Sequence, residues 1–171
     1  MISGQQQVPP PSNEPVLSYA PVSPERAELK AALKTASGQR PEIPLVIGGQ
    51  EVRSGKLHDV RSPHRHQHVL AQVHEASPAH VGQAIDAAMK VKPQWAAMPF
   101  HERAAIFLRA AELVATRRRA QINAATMLGQ SKTAHQSEID AACEAIDFLR
   151  FHVRLAEQLL AQQTISSPGV W

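Results

Sequence analysis

The chain reads as a helix-dominated α/β fold whose sheet is incomplete, and three features of the sequence say so. From Gln130 to Gln163 there is no Pro or Gly, and apolar residues recur at steps of three and four, the period of an amphipathic helix. Between Leu45 and Val73, short β-type runs alternate with turn residues, among them Gly48-Gly49. Ser23-Pro24 and Ser77-Pro78 each combine a capping side chain with a proline suited to the first helical position.

The elements follow in order. Four of the thirteen prolines and three consecutive glutamines fall within residues 1–15. Such a segment builds no core of its own, so residues 1–20 read as a flexible or extended arm. Ser23-Pro24-Glu25 then starts a short helix carrying Ala27, Leu29, Ala32 and Leu33, which ends near Ser37-Gly38, before Pro41. Leu45-Val46-Ile47, Gly48-Gly49 and Glu51-Val52-Arg53 form a hairpin pattern, because the Gly pair supplies the positive φ angles of a tight turn. Leu57 to Val60 and Val69 to Val73 are two further strands around a turn at Ser62-Pro63.

Ser77-Pro78 opens a second helix with a stripe of Val81, Ile85, Ala88 and Met89, broken at Pro99. Phe100 to Thr116 resumes the helical pattern. Ile122, Ala125 and Met127 continue it after Arg117-Arg118-Arg119, and Gly129 marks its end. In the long terminal helix, Ile139, Ala142, Cys143, Ile146, Leu149, Val153, Ala156 and Leu160 form the apolar stripe. Glu138, Asp140, Asp147, Arg150, Arg154 and Glu157 are expected on the remaining surface. The last residues, Pro168-Gly169-Val170-Trp171, leave the helix and read as the start of a strand.

The chain has 171 residues, 43% of them apolar and only 4% aromatic, which fits one domain with a core of Ala, Leu, Ile and Val. The formal charge of +3 comes from 18 basic and 15 acidic residues. The triple arginine lacks interleaved aromatics and reads as a solvated helix face, so no nucleic-acid partner is expected. No apolar run approaches the roughly 18 residues of a membrane span, so no membrane partner is expected either. A single cysteine excludes an intrachain disulfide; with no secretory signal pattern at the start, it favours a cytoplasmic setting.

Few residues point to chemistry. His64, His66 and His68 alternate, but no carboxylate or cysteine lies in the same run, so they read as a polar loop and no metal site is assigned. Cys143 falls mid-helix on the apolar side, with Glu144 beside it. A thiolate nucleophile needs a base or a helix N-terminus, so Cys143 reads as core. No phosphate loop, Ser-His-Asp set or HExxH appears. Glu144, between small neighbours in AACEAIDF, has two readings: an exposed helix acid, or an acid facing a cavity that takes an amine-bearing ligand.

The segments NEPVLSYAPVSPERAELKAAL, IPLVIGGQEVRSG, SPHRHQHVLAQVHEAS, RAAIFLRAAELV and MLGQSKTAHQSEIDAACEAIDFLRFHVRLAEQL together resemble the 1-pyrroline-5-carboxylate dehydrogenases of the aldehyde dehydrogenase superfamily. The likeness runs from about Asn13 to Trp171. It implies an aldehyde dehydrogenase-like α/β fold, with residues 21–171 as the N-terminal portion of its NAD-binding domain. It also implies NAD-dependent oxidation of L-glutamate γ-semialdehyde to glutamate in proline catabolism, by a homo-oligomer acting on a small-molecule substrate. At the position of Glu144, this resemblance places a glutamate near the substrate's amine end.

The family's catalytic cysteine lies in a Gly-Gln-Lys-Cys loop that this chain lacks. The resemblance therefore assigns no catalytic and no cofactor-binding residue here, and NAD is expected to be held by family regions beyond Trp171. The chain reads as a truncated portion of such an enzyme, inactive by itself. The alternative is a non-enzymatic helical interaction module that uses the long helix as a seam.

Overall fold

The structure is a computed structural model and describes residues 7–162 and 167–169. Helix α1 (Pro24–Gly38) starts where Ser23 Oγ accepts the Arg26 N–H. Five short strands follow: β1 (Glu42–Ile43), β2 (Leu45–Ile47), β3 (Gln50–Val52), β4 (Leu57–Ser62) and β5 (Arg65–His74). β2 and β3 form the expected hairpin, with Ile47 opposite Gln50. Its turn residues Gly48 and Gly49 both have positive φ, +58° and +81°, as a two-residue turn matched to strand twist requires. β5 lies between antiparallel β4 and parallel β1 in a separate three-stranded sheet. β1 escapes a sequence reading because two residues carry no period.

Helix α2 (Pro78–Ala97) is capped by Ser77, with His80 closing the box that Glu or Gln usually closes. None of its residues is buried, and Val81, Ile85 and Met89 are more than half exposed. Helices α3 (Phe100–Leu113) and α4 (Arg119–Gln130) join through a wide π-type turn, Val114–Arg118. α4 runs through Gly129 and stops at Ser131, which takes φ +59°. The expected stop at Gly129 is thus displaced by one residue. Thr133 then caps α5 (Ala134–Ser137), in a reciprocal pair with Gln136. A second π-type turn, Glu138–Cys143, leads into α6 (Glu144–Ala161).

That second turn corrects two sequence expectations. In an unbroken α-helix, Glu138 and Ile146 would stand about 80° apart after eight steps of roughly 100°. Widening one turn brings both inward, and each is fully buried. Glu138 therefore leaves the surface assigned to it, while Ile139 leaves the apolar stripe and is 40% exposed. The triple arginine also divides: Arg117 and Arg118 are exposed, but Arg119 is buried.

α1 packs on α4 and α3 on α6. Two small cores result. Val8, Ala104 and Val153 form one, with Phe100 and Leu108 against it. Tyr19, Leu29 and Ala124 form the other, with Leu17, Leu33 and Met127. The arm contributes to both cores. Residues 7–20 have neither helix nor strand, yet they are fastened to the long helix. Val8 N–H donates to Glu157 Oε1 at 2.8 Å, Glu14 N–H to Asp147 Oδ1 at 2.7 Å, and Leu17 N–H to Glu138 Oε1 at 2.8 Å. The strand expected at Val170-Trp171 lies outside the described residues.

Candidate functional site

The arm crosses the start of the long helix above a buried polar cluster. Glu138 is its centre. Oε2 accepts from Tyr19 OH at 2.7 Å and from Asn123 Nδ2 at 2.8 Å. Arg119 Nε lies 3.2 Å from Oε1, and its Nη2 also donates there. Burial alone would raise this carboxyl's pKa. The bonds from Arg119, the Leu17 N–H, Tyr19 and Asn123 outweigh it and bring the pKa down to about 2. For Arg119, burial opposes the charge, but hydrogen bonds to Glu138 and Glu14 hold its pKa above the ordinary arginine value. Burial, and then the bond to Glu138, push the Tyr19 phenol well above its usual range.

Cys143 sits against this cluster, with Sγ 3.4 Å from Arg119 Nη2. Burial, reinforced by the Glu138 charge, raises the thiol to about 11. A thiol this basic stays protonated near neutral pH and is no nucleophile. It is a core residue, as read from the sequence, though one wall of its site is an ion pair.

Outside the cluster, a groove of about 640 Å³ runs between the arm and the long helix. Asn13, Glu14 and Val16 line the arm side; Ile139, Asp140, Cys143, Glu144, Asp147, Phe148 and Phe151 are among the residues on the helix side. Glu144 is exposed and lines this groove, a surface acid on an open concavity. Asp147 is occupied by Asn13 Nδ2 and the Glu14 N–H, both at 2.7 Å. Asp140 pairs with Lys132 Nζ at 2.8 Å. Glu14 is bonded by Arg119 and Arg150. Among the described residues, Glu144 alone of these four carboxylates has no protein partner.

The histidines do not converge. His64 Nδ1 meets Ser131 Oγ at 2.8 Å, His66 Nε2 meets the Pro63 carbonyl, and His68 Nε2 meets the Ser37 carbonyl. Among the described residues, no group of three or more His, Cys, Asp or Glu could hold a metal ion. Among the same residues, no helix is long and apolar enough to cross a membrane.

The sequence reading missed Glu138, Arg119, Asn123 and Tyr19. Arg119 and Asn123, four residues apart, share one helix face, which is the single local hint. Their partners come from other elements.

These features belong to a known class. Residues 50–171 match the aldehyde dehydrogenase family, and the chain belongs to it. Several of its relatives carry one name. The chain is 50% identical over 167 residues to delta-1-pyrroline-5-carboxylate dehydrogenase of Agaricus bisporus, covering 96% of this chain and 31% of the relative. It is 44% identical over 157 residues to the human mitochondrial enzyme of that name, covering 92% and 28%. The crystal structure of the Mycobacterium tuberculosis enzyme bound with NAD superposes with a TM-score of 0.94 at 50% identity, covering 99% of this chain and 32% of that one. The chain thus spans about a third of the length of the relatives it matches.

Proposed function

We propose that this chain is the amino-terminal part of an NAD-dependent dehydrogenase that oxidises L-glutamate γ-semialdehyde, the open form of 1-pyrroline-5-carboxylate, to L-glutamate in proline catabolism. Support comes from the family and from relatives named for that substrate at up to 50% identity. The observation that carries the site is Glu144, an unpaired carboxylate on an open groove whose other acids are engaged. It is suited to an ammonium group, which a carboxylate holds by charge-assisted hydrogen bonding. In this reading Glu144 binds the substrate's amine end and leaves the aldehyde to a nucleophile supplied elsewhere, since the only cysteine here is buried and protonated.

The aldehyde chemistry and the NAD site belong to the part of the enzyme that this chain does not span. The complete protein works as a homo-oligomer on a small-molecule substrate, without nucleic-acid or membrane partners. A cytoplasmic setting is part of the same proposal, with the mitochondrial matrix as the alternative suggested by relatives named mitochondrial.

The test is Glu144→Ala in an enzyme completed with the remaining two thirds of the M. tuberculosis relative. KM for glutamate semialdehyde should rise about tenfold, while that for propanal, which has no amine, stays within about twofold. Equal effects on the two aldehydes would make the carboxylate structural and end the proposal.

A further inference from the structure

We infer that Arg150 is a specificity-determining residue of the Glu144 groove, acting through Glu14; the inference rests on the substrate reading above. Glu14 enters the groove from the arm, and its side chain is only 10% exposed. Two guanidinium groups bracket it. Arg119 Nη1 bonds Oε1 at 2.5 Å, and Arg150 Nη1 bonds Oε2 at 2.6 Å. Arg119 is already committed to the buried Glu138 carboxylate and to the Pro15 carbonyl. Its single charge balances Glu138, so Arg150 is the cation that balances Glu14.

The two glutamates and two arginines form a neutral group beside the groove. Neutrality keeps Glu14 from adding to the negative charge that faces a ligand, which is that of Glu144 and of Asp147, the latter held by two neutral N–H donors, while Asp140 is matched by Lys132.

That balance favours one class of substrate. An amino-acid aldehyde carries an ammonium and a carboxylate on the same carbon. Negative charge facing the substrate attracts the first and repels the second, so an uncompensated Glu14 would add repulsion of the carboxylate, and repulsion of the wrong charge is a common source of specificity. Arg150 is not part of the groove lining and reaches it only through Glu14; it lines a separate hollow with Pro9 to Ser12, and its side chain is 25% exposed, so its charge can be removed without opening the core.

The experiment compares kcat/KM for glutamate semialdehyde and for 4-aminobutanal, an aminoaldehyde without the carboxylate, in the completed enzyme. Arg150→Gln should shift the ratio about tenfold toward 4-aminobutanal, chiefly through KM. Arg150→Lys, which keeps the charge, should leave the ratio within about twofold. Glu14→Gln added to Arg150→Gln should restore it. Glu14→Gln alone leaves Arg150 unbalanced and should move the ratio the other way; this variant decides the matter should Arg150→Gln not fold.

An unchanged ratio in both single variants, or no restoration in the double variant, overturns the inference. If Glu144→Ala still separates glutamate semialdehyde from propanal in that case, only the role of Arg150 fails. If it does not, the substrate reading has failed first.

Discussion

Replacing Glu138 by Ala should remove more stability than any other single change at this site. The side chain is fully buried and accepts from Arg119, the Leu17 N–H, Tyr19 and Asn123. Its removal leaves a buried guanidinium short of a partner and loosens the arm at Leu17 and Tyr19, while the bonds to Asp147 and Glu157 remain. Breaking a buried charge pair from one side costs about 3–5 kcal/mol. The carboxyl's displacement from 4.5 to about 2 corresponds by linkage to about 3 kcal/mol, so two routes meet at one magnitude. For a chain of this size that loss lowers Tm by about 6–20 °C.

The assay is a urea or thermal melt followed by circular dichroism, at several pH values. Because the folded pKa lies below the unfolded one, the contribution is complete above about 4.5 and disappears as pH falls toward 2. The gap between wild type and variant should therefore close in acid. A gap of less than about 1 °C at pH 7, or one that stays constant down to pH 3, would refute the reasoning.

Other expectations follow from single residues. In the folded chain, Cys143 should resist iodoacetamide near neutral pH and react on unfolding, since it is buried with a thiol pKa near 11; labelling of the native chain at the rate of a free thiol would contradict this. Gly49→Ala should destabilise the hairpin by about 1 kcal/mol, because φ is +81° while a Cβ meets open space; a neutral melt would mean that the turn relaxes. Thr133→Ala should cost about 1 kcal/mol of helix stability by removing the acceptor of the Gln136 N–H, measured in the same melts, and a loss below a few tenths would show that Gln136 holds the cap alone. The isolated chain should produce no NADH from glutamate semialdehyde, since its one thiol is buried and protonated near neutral pH; turnover by the pure chain would end that view.

The parts of the fold read correctly from sequence are those specified by neighbouring residues. Ser23 and Ser77 cap the helices they open, and Gly48-Gly49 turns the hairpin. Period and cap chemistry are local, so they survive without knowledge of tertiary structure. The errors arise where distant segments meet. Glu138 looks like a surface acid until Arg119, Asn123 and the arm close around it. The π-type turn that carries it inward leaves Ile139 outside. The arm's composition signals the absence of regular structure, but not the carboxylates of Glu138, Asp147 and Glu157 that fasten it. Glu144 stood out in the sequence by its small neighbours, and the family resemblance added the substrate's amine end; its lack of a partner became visible only once Asp140, Asp147 and Glu14 were seen to be engaged.

The most direct test of the central proposal joins this chain to the remaining two thirds of the M. tuberculosis relative and follows NADH formation from glutamate semialdehyde. The account expects turnover by the joined protein and none by either part alone. A folded, soluble fusion that binds NAD yet leaves glutamate semialdehyde untouched would contradict it.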